Sequence, residues 1–291
     1  MNKIQKAIQR SKQDREQNTS VPTHSPLSER EQLEHDIRKL LSDECPEVLQ
    51  SMHKQIKLSY SKTKTIQTDR KALINKCVYA LVQDIEITKR IEILRAQVLK
   101  KLIQMNANSL MVTSANHREG KTFISTNLAV SIAQNLDRTV MLIDADLRNR
   151  SYERHNMANI FFDSHSCSGL SDYLSGSSKI EDLLVNPGIP RLTILPSGEA
   201  LPHSAEYLGS PKMEKLIYEM KSKYSRERIL IFDCSSFSPN ADPLILSRFV
   251  DAVLLVVENE RTEIKDLQRM IGLLKDTKIV GAVMNKSKEL F

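Results

Sequence analysis

The stretch S-L-M-V-T-S-A-N-H-R-E-G-K-T, Ser109 to Thr122, decides the fold. An apolar strand (Ser109–Ser114) enters a turn that ends in Gly120-Lys121-Thr122, and Phe123 to Asn135 then carries apolar residues at helical spacing. A strand that turns directly into a helix aims backbone N–H groups and the positive end of the helix at one point, which is an anion site. Against the pattern G-x-x-x-x-G-K-[ST] the first position is Ala115, so this match alone is weak. Two further stretches complete it. V-M-L-I-D-A-D-L-R (Val140–Arg148) and I-L-I-F-D (Ile229–Asp233) each end an apolar strand in a carboxylate. A lysine beside a threonine, with two separate strand-end acids, is what a nucleoside triphosphate and its Mg²⁺ require.

Outward from the turn, the hydrophobic period alternates between strand and helix. Thr139–Asp144, Leu192–Leu195, Ile229–Asp233, Ala252–Val257 and Ile279–Asn285 read as short buried strands. Pro211–Lys223 and Glu263–Lys275 read as helices, and Val78 to Met105 as one long helical stretch. The expected class is α/β: a mostly parallel sheet with helices on both faces and P-loop NTPase architecture. In such sheets ligands sit at the C-terminal ends of the strands, where all three motifs fall. Residues 76–291 are expected to form this ATP-binding domain. Residues 1–75 read as a helical, partly disordered regulatory or docking extension. In it, Ile4, Ala7 and Ile8 suggest a short helix, Asn18–Ser28 a polar linker, and Glu29–Leu41 a second helix.

The bulk composition excludes several classes. In 291 residues the longest apolar run near the C-terminus, Ala252–Val257, is far too short to cross a bilayer. The polar first residues have no secretory core. The four cysteines (Cys45, Cys77, Cys167, Cys234) lack metal-ligand spacing, so a reduced, cytoplasmic protein is expected. The net charge is +6, and Lys54–Lys76 holds seven Lys or Arg against Asp69 alone. Tyr60 is the single aromatic residue among these charges, short of the series a stacking platform would need, so no nucleic-acid partner is expected.

Each site residue has a reading from its chemistry. The turn Ala115, Asn116, His117, Arg118, Glu119, Gly120, Lys121 and Thr122 would cradle the phosphates. Lys121 would reach the β- and γ-phosphates, and the Thr122 hydroxyl would ligate Mg²⁺. Asp144 and Asp146 share a face in extended chain and repel unless a cation lies between them. Asp144 would be a metal partner through water, and Asp146 the base or orienter for an incoming hydroxyl. Asp233 would also hold Mg²⁺ through water. Arg148 would serve as a salt-bridge or phosphate partner, and Asn285 would read an adenine edge.

These residues, in this order, resemble the bacterial protein-tyrosine kinases of capsule and exopolysaccharide loci, P-loop ATPases related to the MinD/ParA proteins. Likeness is greatest to the autokinases of exosortase-linked exopolysaccharide systems. G-L-S-D-Y-L (Gly169–Leu174), L-P-S-G-E-A (Leu195–Ala200), L-G-S-P-K-M (Leu208–Met213), V-D-A-V-L-L-V-V-E (Val250–Glu258) and the opening I-Q-K-A-I-Q-R carry it further. The resemblance implies ATP- and Mg²⁺-dependent transfer of a phosphoryl group to tyrosine, with Lys121, Asp144, Asp146 and Asp233 as the catalytic set. It also implies a homo-oligomer, tyrosine-containing protein substrates, and activation at the inner face of the plasma membrane by the cytoplasmic segment of a polysaccharide chain-length regulator.

Four positions depart from that family. Its C-terminal tyrosine cluster is absent, the last tyrosine being Tyr224, so the acceptor would be Tyr60, Tyr79 or another protein. Its oligomerising E-x-x-R-x-x-R helix reads Lys89, Glu92, Arg95. Asp233 precedes C-S-S-F rather than apolar residues and prolines. Arg118 stands where many members have Gly, a position at which positive φ would cost about 1–2 kcal/mol. Two rival readings are a MinD/ParA-type ATPase switch, against which Asn116 stands in place of the signature lysine, and a catalytically degenerate scaffold of a polysaccharide assembly complex.

Overall fold

The computed structural model describes residues 63–148, 156–163, 167–223, 227–238 and 240–287. The expected helices before residue 42 lie outside them. The elements are β1 (Lys64–Thr65), α1 (Arg70–Asn75), a 3₁₀ turn (Tyr79–Leu81), α2 (Glu86–Gln104), β2 (Ser109–Ser114), α3 (Lys121–Ala133) and β3 (Thr139–Asp144). Three short helices follow, α4 (Met157–Phe162), α5 (Leu170–Ser175) and α6 (Ile180–Leu183), then β4 (Val185–Asn186) and β5 (Leu192–Leu195). The chain continues through α7 (Ser204–Leu208), α8 (Pro211–Lys223), β6 (Arg228–Asp233), α9 (Asp242–Leu246), β7 (Ala252–Glu258), α10 (Ile264–Leu273) and β8 (Ile279–Asn285).

The eight strands form one sheet in the order β1-β4-β5-β3-β6-β2-β7-β8. Every pairing is parallel except β4 with β5. The central strands are buried on both faces, which is why they read as continuous apolar runs rather than alternating ones. Leu110, Val112, Leu142 and Ile231 point into a core shared with α2 and α3. Met111, Ile143, Leu230 and Phe232 point into the other, shared with α8, α9 and α10. The expected doubly covered parallel sheet is therefore present. Among the described residues no helix is long and apolar enough to cross a membrane.

Two details differ from the sequence reading. Val78–Met105 is not one helix: it is the 3₁₀ turn, an extended Val82, a left-handed Asp84 (φ 61°) and then α2. The break has a physical cause in the next helix. Asn127, 1% exposed on α3, accepts from the Ala80 N–H (2.9 Å) and donates to the Cys77 carbonyl (2.9 Å), while Gln134 Nε2 donates to Ala80 O (2.7 Å). Those bonds pull the backbone at 77–80 away from helical pairing. Residues 64–75, assigned above to the extension, also join the sheet domain. β1 pairs with β4, Thr68 Oγ1 donates to Phe161 O (2.9 Å), and Leu73 is 2% exposed in the core.

Candidate nucleotide site

β2 delivers the chain to the loop 115–120 at the centre of the sheet, between β6 and β7. Gly120 caps α3 with φ 96°, and a Cβ there would lie 2.0 Å from Asn285 Nδ2, so only glycine fits. The loop is braced by its own side chains. Glu119 is fully buried; its carboxylate accepts from the Asn116 N–H (3.0 Å) and from Thr262 Oγ1 (2.5 Å). Asn116 Nδ2 donates to Asp266 Oδ2 (3.2 Å), and Ser114 Oγ to Asn116 O (2.7 Å). Phe237 N–H and Ser238 N–H donate to the Ser114 and Ala115 carbonyls.

What remains open is informative. Among the described residues, no hydrogen bond uses the backbone N–H groups of residues 117 to 122. Six consecutive unpaired N–H groups at a helix N-terminus are the arrangement that suits an anion. The Lys121 ammonium, on a side chain from a residue 8% exposed, likewise has no hydrogen-bond partner among the described residues. Not every loop residue faces the nest: the Asn116 N–H and the Glu119 side chain turn inward. His117 and Arg118 are exposed, and Arg118 adopts φ 64°, the costly conformation anticipated from its departure from Gly.

The carboxylates meet beside Lys121. Asp144 and Asp233 are register partners on the adjacent strands β3 and β6, 4% and 2% exposed. Burial pushes Asp144 well above the usual carboxylate range, and repulsion from Asp233 and Asp146 adds to it. Burial also raises Asp233, to about 6, although the Thr122 hydroxyl and Lys121 pull it back. Asp146 is raised by burial, with Lys121 opposing. Asp233 Oδ1 is fully buried and accepts no hydrogen bond among the described residues. Three acids against one ammonium, with an orphaned acceptor between them, leave an unmet demand for positive charge. Among the described residues no group of three or more His, Cys, Asp or Glu is spaced to hold a metal alone. A cation here would have to share its shell with phosphate, hydroxyl or water, which suits Mg²⁺.

Two expected residues have other partners. Arg148 is a salt-bridge residue: Nε and a terminal nitrogen grip both oxygens of the buried Asp242 (3.0 and 3.2 Å), and Nε also reaches Ser204 Oγ (2.8 Å). Ser204 Oγ in turn donates to Asp242 (2.6 Å), so the acidic turn is tied to α7 and α9. Asn285 reaches the site, and its Nδ2 donates to Glu119 O (2.9 Å), which clamps the loop. Sequence reasoning missed Asp242, Ser204, Thr262 and Asp266. The only signal was Asp242-Pro243 at a helix start, which does not by itself distinguish a cap from an ion-pair partner.

No protein-family profile matches the chain. The chain is 33% identical over 188 residues to the tyrosine-protein kinase YwqD of Bacillus subtilis (strain 168), covering 64% of this chain and 75% of that one. It is 30% identical over 182 residues to the tyrosine-protein kinase CpsD of Streptococcus agalactiae serotype III (strain NEM316), covering 62% and 75%. Its fold matches the kinase domain of the Escherichia coli tyrosine kinase ETK with a TM-score of 0.64 at 23% identity, over 78% of this chain and 91% of that domain. Sharing that identity with enzymes of which it spans three quarters, and carrying a nucleotide site at the crest of a parallel sheet, the chain belongs to the bacterial tyrosine-protein kinases.

Proposed function

We propose that this kinase uses Mg²⁺·ATP to phosphorylate tyrosines in the control of exopolysaccharide or capsule assembly, at the cytoplasmic face of the membrane and with the cytoplasmic segment of a chain-length regulator as partner. The observation that carries the site assignment is the orphaned Oδ1 of Asp233 opposite Asp144, next to six open backbone donors. In this reading the N–H groups of 117–122 and the Lys121 ammonium bind the phosphates. Thr122, Asp144 and Asp233 hold Mg²⁺, whose charge, when it is bound, offsets that of the phosphates and lowers the cost of ionising both buried acids. Asp146 accepts hydrogen bonding from the incoming tyrosine hydroxyl and holds its oxygen in line with the γ-phosphorus. Arg148 fixes the turn that carries Asp146, through Asp242 and Ser204. Asn285 and Glu119 keep the loop in its binding shape before nucleotide arrives.

One observation bears on assembly. Arg95, the only retained member of the oligomerising motif, donates to Ser131 O (3.0 Å) and Oγ (3.2 Å) of its own α3. A ring contact through that arginine would first have to break these bonds. Of the two acceptors named above, Tyr79 packs edge-on against Phe123 (6.1 Å between centroids) and Tyr60 lies outside the described residues; Tyr218 on α8, not among them, is 71% exposed.

The deciding experiment is intact-mass and phosphotyrosine mapping after incubation with Mg²⁺·ATP, with Lys121→Met as control. Phosphotyrosine in the wild type alone is expected, together with at least tenfold weaker nucleotide binding by the variant, since a phosphate-facing cation is lost. ATP hydrolysis without phosphotyrosine, with or without the partner segment, would return the chain to the ATPase-switch reading.

A further inference from the structure

A groove of about 440 Å³ starts at the edge of the phosphate loop and runs away from it. It is lined by Asn116 of the loop, by Phe237 and Leu244, and by Met270 and Leu273 of α10. Leu244 and Leu273 are 37% and 45% exposed, so apolar surface lies open at the groove's outer part. Two charged residues line it. Asp266 accepts from Asn116 Nδ2 and so is engaged in holding the loop. Arg269 is exposed and forms no ion pair or hydrogen bond among the described residues. The groove therefore combines apolar walls with polar Ser238 and Asn240 and with one guanidinium, Arg269, that has no partner among the described residues, next to the phosphate loop.

The nucleotide phosphates do not account for this groove. Their donors are the open N–H groups of 117–122, whereas the loop residues that line the groove are Ala115 and Asn116, and the Asn116 N–H is already closed by Glu119. A tyrosine kinase needs a second channel, through which a phenol on a polypeptide reaches the same loop. An aromatic ring suits walls of Phe, Leu and Met, because sulfur and ring edges pack favourably on its face. The free guanidinium favours carboxylate neighbours on the incoming strand, since it can grip a carboxylate with two parallel bonds.

We infer that the groove between the phosphate loop and α10 seats the acceptor segment of a substrate polypeptide, a tyrosine with acidic neighbours, and that Arg269 selects for those acids. This rests on the tyrosine-kinase assignment and adds the substrate class and the residue that reads it. Arg269 acts on acceptor affinity and leaves nucleotide binding alone.

The test uses the full chain with Mg²⁺·ADP and two fluorescein-labelled peptides, one tyrosine flanked by glutamates and one flanked by lysines. Binding is followed by anisotropy, and phosphorylation is followed separately with Mg²⁺·ATP. The wild type is expected to bind the glutamate peptide at least tenfold more tightly than the lysine peptide. Arg269→Glu should abolish or reverse that preference, because like charges across an interface are strongly disfavoured. Leu273→Gln should weaken both peptides severalfold, and both variants should keep wild-type nucleotide affinity. Equal binding of the two peptides, no peptide binding, an unchanged preference in Arg269→Glu, or variants that alter only self-association in sedimentation would each overturn the proposal. Peptide binding with the expected preference but no phosphorylation would instead count against the catalytic assignment, so the two failures are distinct.

Discussion

On one side of the site, the phosphate loop answers its own polar groups: Glu119 takes the Asn116 N–H and the Thr262 hydroxyl, and Asn285 takes the Glu119 carbonyl. On the other, Asp144 and Asp233 face each other across adjacent strands with Oδ1 of Asp233 unanswered and both acids held toward their neutral forms. Glu119, Asp144 and Asp233 are all nearly fully buried, so burial alone does not explain the difference. The loop's internal bonds hold its shape and leave the N–H groups of 117–122 without an acceptor among the described residues. The acids cannot satisfy each other, because two carboxylates offer acceptors and no donor until one is protonated. One half of the site is thus prebuilt, and the other is completed by what binds.

The sharpest way to separate the halves is Asp146→Asn. Removing the acceptor at the acidic turn should leave nucleotide affinity within about threefold, because the loop is intact. Phosphoryl transfer should fall by about 10²–10⁴-fold, the range for a lost general base or orienter. Turnover equal to wild type in a quenched-flow assay would remove Asp146 from the chemistry and leave the two halves indistinguishable.

A second test addresses the charge that the acids lack. Burial raises the Asp233 pKa to about 6, above the value of about 3.9 expected in the unfolded chain, so the folded protein binds more protons between those limits. The stability contributed by this group is fully present below about pH 4 and is lost as pH rises through about 6. Thermal melts of nucleotide-free protein should show that loss, worth about 3 kcal/mol at ~1.4 kcal/mol per pKa unit, and saturating Mg²⁺·nucleotide should erase it. Asp233→Asn should flatten the slope and raise the melting temperature of the nucleotide-free protein at pH 7.5. Melts of wild type and variant that run parallel from pH 4 to 8 would show that no unmet charge exists there.

The smallest effect concerns the prebuilt half. Arg118 sits at φ 64° with only its carbonyl engaged, accepting from Lys286 Nζ (2.8 Å). Arg118→Gly removes a left-handed penalty of about 1–2 kcal/mol but adds about 0.5–1 kcal/mol of unfolded-chain entropy. A net gain of under about 1 kcal/mol is expected in denaturant midpoints, with nucleotide affinity unchanged. A loss of stability would mean that the Arg118 side chain itself braces the loop.

Local chemistry made much of this legible beforehand. The strands ending at Ser114, Asp144 and Asp233 are legible because each is a short run, buried on both faces and dominated by apolar residues. The start of α3 is legible at Gly120, whose left-handed φ of 96° is a conformation that glycine adopts freely. Less legible was the break at 77–85, since Asn127 lies some fifty residues away and nothing in the helical spacing of that stretch announces it.

By itself, then, the sequence determined the parallel sheet, the strand-turn-helix at Gly120-Lys121-Thr122 and the two acidic strand ends, since each depends on short-range periodicity and on turns that only certain residues allow. Tertiary structure alone decided the partners: that Asp144 pairs in register with Asp233, that Glu119 faces inward, that Arg148 is spent on Asp242 and Ser204, and that Asn285 clamps the loop. Those contacts join positions tens to more than a hundred residues apart. A carboxylate or an amide has the same formula whether it meets a cation, a backbone N–H or a substrate, so only the packing of the sheet, which sets what stands within three ångströms of it, tells these roles apart.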